Sequence, residues 1–170
     1  GHRRLSILDL AASHQPMQSP DGALTLSFNG EIYNYEELRH QLEPHWAFQT
    51  RGDTEVLLAG LHHFGHAFLE RLRGMWAFAL WDERRRELLL ARDRMGKKPL
   101  YFRTAPGGLA CASELPPLFA LDPRPAAEDL DSTADFLRYG LHLPGTTAYQ
   151  GVAELLPGHY GIWRPGADVE

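Results

Sequence analysis

The stretch MWAFALWDERRRELLLA, residues 75–91, decides the fold. Residues 75–81 are apolar almost throughout and too few for an average buried helix. They read as a central strand covered on both faces. Residues 82–86 form a charged turn, and residues 88–91 return as a second strand, which makes an antiparallel hairpin. Arg84-Arg85-Arg86 follows Asp82-Glu83 and reads as a solvated turn, not a nucleic-acid surface.

Downstream of the hairpin, residues 98–102 and 109–112 read as two further strands, joined by a turn at Pro106-Gly107-Gly108. Pro116-Pro117 predicts a break in regular structure. Residues 123–127 read as a loop and residues 131–139 as a helix, with Phe136 and Tyr139 as its apolar contacts. The remainder, punctuated by Pro144-Gly145 and Pro157-Gly158, reads as a turn-rich connection.

Upstream, Leu57, Leu61 and Phe64 share one face of a helix that Asp53 or Thr54 can cap and Gly65 stops. A short helical piece near residues 68–72 follows. Tyr35, Leu38 and Leu42 recur at helical spacing, with Asn34 and Glu37 as a capping pair and Pro44 as the terminator. Residues 47–50 form a short extended piece. Leu24, Leu26 and Phe28 alternate with Thr25 and Ser27, a strand that ends at Asn29-Gly30. Asp21-Gly22 is a turn, and Leu5 and Ile7 share a face of an earlier strand. Two early helices followed by a strand-rich run give an α+β fold with antiparallel sheets. The strand-helix alternation of a doubly wound fold is missing, as are the G-x-G-x-x-G and G-x-x-x-x-G-K-[ST] loops.

At 170 residues and 44% hydrophobic content the chain is long enough for one domain with a real core. A net charge of -5 with no basic stripe argues against nucleic acid. One cysteine, Cys111, excludes an internal disulfide framework. No signal peptide is expected, and there is no apolar run of about 18 residues, so no membrane span is expected and a cytoplasmic location is the default expectation.

Four polar elements sit beside strand or helix ends: Arg4, the Asn29-Gly30-Glu31 triplet, Asp53, and Asp93-Arg94. An arginine can clamp a carboxylate. Glu31 and Asp53 can hold an ammonium group. The Asn29 amide and the Gly30 N–H can stabilise an oxyanion, and Gly30 lets a ligand approach the backbone. Together they suit an amino acid whose far end undergoes acyl transfer. The purely structural alternative is a turn at Asn29-Gly30, a helix cap at Asp53 and a surface arginine. Cys111 reads as a buried structural thiol. His62, His63 and His66 cluster, but no H-E-x-x-H is present, and they read as surface or helix-end histidines rather than zinc ligands.

Six segments, in order, carry a family likeness. "GHRRLSILDL", "FNGEIYNYEELR", "RGDTEVLL", "LRGMWAFALWDERRRELLLARDRMGKKPLYF", "ASELPPLFAL" and "TTAYQGVAELLPGHY" resemble the segments of class II glutamine amidotransferase domains, of the asparagine synthetase type. The resemblance implies an N-terminal-nucleophile hydrolase fold, antiparallel β-sheets sandwiched between helix layers (αββα). It implies a glutaminase domain over residues 1–125, with a C-terminal helix and connection over 126–170. Arg4 matches the arginine that binds the glutamine α-carboxylate, Asn29 and Gly30 the oxyanion pair, and Glu31 and Asp53 the acidic residues at the α-amino group. The family uses an N-terminal cysteine as nucleophile and that residue's own α-amine as base.

That opening cysteine is missing from these residues, so the fold is expected to be N-terminally incomplete and the segment inactive alone. Both ends are expected to be cut ends. Without the first strands, apolar faces would be exposed, and a marginal, aggregating or homodimeric chain is expected. No cofactor is expected in this domain. ATP and Mg belong to a synthetase domain expected in cis, and glutamine is the expected substrate. Two alternatives stand beside this reading. One is an amidotransferase-like homologue of natural-product or polysaccharide biosynthesis. The other is a non-catalytic glutamine-binding or scaffolding protein. Amidotransferases making phosphoribosylamine or glucosamine 6-phosphate fit less well.

Overall fold

The computed structural model describes residues 14–105, 108–121 and 125–169. Five strands pair antiparallel in the order β1 (Met17–Gln18), β2 (Leu24–Ile32), β3 (Gly74–Asp82), β4 (Glu87–Arg92) and β8 (Tyr160–Trp163). A second antiparallel sheet runs β6 (Gly108–Ala112), β5 (Tyr101–Ala105), β7 (Val152–Glu154). The hairpin expected from residues 75–91 is the middle of the larger sheet, with Phe78 opposite Ala91 and Asp82 opposite Glu87.

The strand pleat sorts the side chains into two cores. Leu24, Leu26, Phe28 and Ile32 of β2, with Trp76, Phe78 and Leu80 of β3, face a helical layer. That layer is α1 (Tyr35–Leu42), α2 (Asp53–Phe64) and a 3-10 turn (Gly65–Arg71), which contribute Leu38, Leu42, Leu57, Leu58 and Phe68. On the opposite face, Ala77 and Leu90 meet Leu100 and Leu155, flanked by Phe102, Leu109 and Cys111 of the second sheet. Beyond that sheet lies α3 (Leu115–Leu121), anchored by the fully buried Leu118. The layers are therefore helix, sheet, sheet, helix, the expected α+β sandwich.

Several local expectations need correction. β2 does not end at Asn29-Gly30. It runs on to Ile32, because Asn29, Gly30 and Glu31 pair in register with Ala77, Trp76 and Met75. Asn34 precedes α1 but does not cap it with its side chain. Its amide instead donates to the Arg71 carbonyl and accepts from the Arg73 N–H, both at 3.0 Å, pinning the loop before β3. Gly52, not Asp53 or Thr54, is the residue that precedes α2. Residues 47–50 join no sheet. Buried Glu55 holds them through the Gln49 and Thr50 N–H groups.

Pro116-Pro117 does not break regular structure: both prolines lie in the first turn of α3, where a helix has no use for an N–H. The connection after residue 140 supplies β7 and β8, short strands that the turn signals around them concealed. Helix α4 (Leu130–Tyr139) forms, but Phe136 and Tyr139 stay exposed outside the two cores, with the Phe136 ring stacked on His142 at 4.9 Å between centroids. The strand suggested by Leu5 and Ile7 lies outside the described residues.

Candidate functional site

β2 presents alternate N–H groups to β3 and to its other edge. On that other edge the acceptors are mostly side chains. The Leu24 N–H donates to Ser19 Oγ (2.9 Å), the Phe28 N–H to Gln15 Oε1 (2.6 Å) and the Ile32 N–H to Asp53 Oδ2 (3.0 Å). Strand alternation points the Gly30 N–H the same way. It meets no acceptor among the described residues. A donor fixed on both sides and left unbonded is what a developing oxyanion needs.

Gly30 is required sterically as well. Its φ is +152°, and a Cβ there would collide with the Met75 carbonyl oxygen and come within 2.6 Å of the Trp76 Cα. β2 and β3 can approach this closely only with glycine. Asn29 and Glu31 lie on the pleat face opposite Phe28, half-buried beside the donor. Among the described residues no hydrogen bond restrains either side chain.

Asp53 reaches the same place from α2. It is the first residue of that helix and only 4% exposed. The helix N-terminus favours its negative charge, and its bond to Ile32 ties the helix to the end of β2. The structure therefore brings Asn29, Gly30, Glu31 and Asp53 together. Arg4 lies outside the described residues.

Asp93 and Arg94 brace this site from behind and do not enter it. Asp93, 1% exposed, accepts from the N–H groups of Trp76 (3.2 Å), Met95, Lys97 and Lys98. Its own N–H donates to the Trp76 carbonyl at 2.8 Å. Burial alone would raise its carboxyl, but the four N–H donors outweigh burial and hold it below the usual aspartate value. Trp76 faces Gly30 across the ladder, so the Asp93 ring sets where the β3 side of the site stands. Arg94 donates to the Leu72 and Glu70 carbonyls, both at 3.0 Å. Gln15 is the residue sequence reasoning missed. Its one signal was a polar side chain beside a proline, which says nothing about Phe28.

Cys111 sits on β6 against the inter-sheet core, and burial pushes its thiol up to about 11. Half-buried and protonated at neutral pH, it is poorly suited to act as a nucleophile. His62 bonds Asp21 Oδ2 at 3.1 Å, and His63 stacks on His45 with centroids 4.1 Å apart. Among the described residues no three His, Cys, Asp or Glu side chains converge as a metal site. A groove of 690 Å³ lined by His62, His66, Arg84 and Arg164 lies at the opposite end of β2, away from Gly30.

The family of glutamine amidotransferase domains matches residues 1–169. The chain belongs to this family. A protein of Mycobacterium bovis, provisionally named asparagine synthetase (glutamine-hydrolysing), is 56% identical over 121 residues, 67% of this chain and 18% of that protein. The amidase chry2 of Gibberella zeae is 38% identical over all of this chain and 25% of its own length. Among solved structures, the glutamine phosphoribosylpyrophosphate amidotransferase of B. subtilis superposes with a TM-score of 0.59 at 27% identity, covering 92% of this chain and 31% of that one. The chain thus spans less than a third of the length of the curated relatives it matches, from 16% to 29%. Its two antiparallel sheets between helices are the N-terminal-nucleophile hydrolase arrangement of that neighbour.

Proposed function

We propose that this amidotransferase domain is the glutaminase part of a glutamine-hydrolysing asparagine synthetase. The parent reaction is ATP, aspartate, glutamine and water to asparagine, glutamate, AMP and diphosphate. The observation that carries the reading is the Gly30 N–H, which meets no acceptor among the described residues and lies between Asn29 and Glu31 on the strand that Asp53 ties to α2.

In this reading Arg4 binds the substrate α-carboxylate, and Glu31 and Asp53 bind its α-ammonium. The side-chain carbonyl of glutamine lies between Asn29 Nδ2 and the Gly30 N–H. A thiolate attacks that carbon, and the carbonyl electron pair moves onto oxygen, where the two donors stabilise it. The C–N bond then breaks, and the nitrogen takes up a proton and leaves as ammonia. Water cleaves the resulting thioester to glutamate. The thiol belongs to an N-terminal cysteine that these residues do not supply, and its α-amine is the base. Cys111 is unsuited to the role.

Residues 1–125 form the glutaminase and 126–170 lead toward the synthetase domain, which uses ATP and Mg in cis. A cytoplasmic setting and a homodimer belong to the same proposal. Among the described residues no helix is long and apolar enough to cross a membrane.

One observation favours a second reading. The Gibberella amidase is 38% identical over the whole chain, slightly above the 36% over 99% of the chain for asparagine synthetase 1 of Bacillus subtilis. The glutaminase would then serve an acceptor other than aspartate.

The test is an assay of the natural full-length protein for glutamate release with and without aspartate and ATP. Asparagine formed from glutamine supports the main reading. Glutamate without asparagine favours the second. No glutamate release sinks both and leaves a non-catalytic glutamine-binding role.

A further inference from the structure

The loop of residues 94–98 leaves β4 for the second sheet, and two adjacent side chains divide its backbone between them. Its N–H groups go to Asp93: Met95 and Lys97 donate to Oδ1, and Lys98 donates to Oδ2. Its carbonyls go to Arg92. The guanidinium donates through Nη2 to Gly96 and through Nε to Lys98, both at 2.8 Å. Nη1 reaches the Leu155 carbonyl at 2.6 Å and Glu154 Oε1 at 2.9 Å. Arg92 is the last residue of β4 and only 6% exposed. A cation this buried must have its donors matched, and three carbonyls and one carboxylate match them here.

Apolar packing does little to shape this loop, because Arg94, Met95 and Lys97 are exposed. Hydrogen bonds shape it instead, and the fit is close. Gly96 has a φ of +62°, and a Cβ there would lie 2.7 Å from Pro157 Cγ and 3.2 Å from Arg92 Cζ. The shape matters because Asp93 Oδ2 is shared. It accepts the Lys98 N–H from the loop and the Trp76 N–H from β3, at 3.1 and 3.2 Å. Trp76 stands opposite Gly30, whose N–H meets no acceptor among the described residues. A short path therefore leads from the guanidinium through Lys98, Asp93 and Trp76 to that donor.

We propose that Arg92 is a positioning residue of the glutaminase, an inference that rests on the function proposed above. By holding the loop carbonyls it fixes the Asp93 carboxylate on Trp76, and through Trp76 it sets where the Gly30 N–H stands. An oxyanion donor acts on charge that develops in the transition state, so displacing it lowers kcat and spares KM. The ion pair and the carbonyl contacts can be separated. Lysine keeps a charge for Glu154 but lacks the planar fork that reaches three carbonyls.

The experiment compares the natural full-length protein with its Arg92→Lys, Gly96→Ala and Glu154→Gln variants. Steady-state glutamine hydrolysis and residue-resolved hydrogen exchange in β3 are the readouts. Arg92→Lys should lower kcat by about tenfold and leave KM within about twofold of the parent. Its Trp76 N–H should exchange faster while Phe78 and Leu80 keep the parent rates. Gly96→Ala displaces the guanidinium without altering its charge and should show the same split. It takes the place of Arg92→Lys if that variant does not fold. Glu154→Gln leaves the carbonyl contacts in place and should keep the parent kcat. A parent kcat in folded Arg92→Lys or Gly96→Ala overturns the proposal. So does an equal loss in Glu154→Gln, because the ion pair and not the loop then matters. A uniform rise in exchange along β3 overturns it too, since Arg92 is then a brace for the whole fold. If the unaltered protein fails to hydrolyse glutamine, the function proposed above falls, and exchange at Trp76 alone still decides whether Arg92 fixes β3 at that point.

Discussion

The Asp53 carboxylate takes the Ile32 N–H at 3.0 Å, so the first residue of α2 is tied to the last residue of β2, next in sequence to Glu31. Charge and backbone anchoring can be separated by substitution. Asp53→Asn keeps an acceptor for Ile32 and removes the charge. It should fold normally and lose glutamine affinity. Asp53→Ala should also lose about 1–3 kcal/mol of stability, because a buried N–H is left unpaired. Denaturant unfolding together with glutamine titration checks both. Equal glutamine affinity in Asp53→Asn and the parent would remove Asp53 from the substrate site.

Gly30→Ala should be far more disruptive than an ordinary surface change. The added Cβ meets the Met75 carbonyl oxygen and the Trp76 backbone, and φ is +152°. We expect a loss of about 3 kcal/mol or more, or failure to fold. A melting temperature within a few degrees of the parent would contradict the close β2–β3 approach.

Gln15 offers a gentler probe of the same strand. Gln15→Ala frees the Phe28 N–H, two residues before Gly30, whereas Gln15→Glu keeps an acceptor there. In a full-length enzyme with its nucleophile, the alanine variant should lower kcat for glutamine hydrolysis by about tenfold and leave KM nearly unchanged. The glutamate variant should restore most of the rate. A rise in KM alone would mean that Gln15 serves binding rather than the oxyanion donor.

Acid stability should report the Asp93 ring. Its carboxyl is held below the ordinary aspartate value in the folded state, so its contribution is present above that ordinary value. The contribution is lost as the pH falls through the lower folded value. Asp93→Asn should therefore lower stability at neutral pH and flatten the decline below about pH 4. Urea unfolding at several acidic pH values measures it. An unchanged acid slope would show that Asp21 and Glu83, whose carboxyls are also lowered, dominate.

Cys111 should resist thiol reagents in the native protein at pH 8, since its thiol is pushed up to about 11. Labelling should appear only on unfolding. Rapid native labelling would reopen Cys111 as a reactive group.

The hairpin at residues 75–91 was legible because its apolar run is too short for an average buried helix and its turn is densely charged. The Asn29–Glu31 triplet was legible as chemistry, yet its strand seemed to stop early. Asn, Gly and Glu are poor strand formers, and pairing with Ala77, Trp76 and Met75 overrides that preference. Asn34 illustrates the opposite failure. Its sequence fits a capping box, but its amide is taken by Arg71 and Arg73, nearly forty residues away. Gln15 was beyond reach for a related reason: its role lies in meeting the Phe28 N–H thirteen residues away, a pairing that sequence spacing does not encode. Asp93 was picked out as a polar residue at a strand end, but its bracing of Trp76 was not legible. β7 and β8 escaped because strands of three and four residues carry too little alternation to detect.

In the proposed function the Asn29–Glu31 strand end and Asp53 form a glutamine pocket. The most direct measurement is calorimetric titration of glutamine into the full-length protein and its Glu31→Gln/Asp53→Asn variant. The account predicts one saturable site per chain in the parent, with affinity in the variant weakened by about a hundredfold. Equal binding by both proteins, or no binding by the parent, would contradict it.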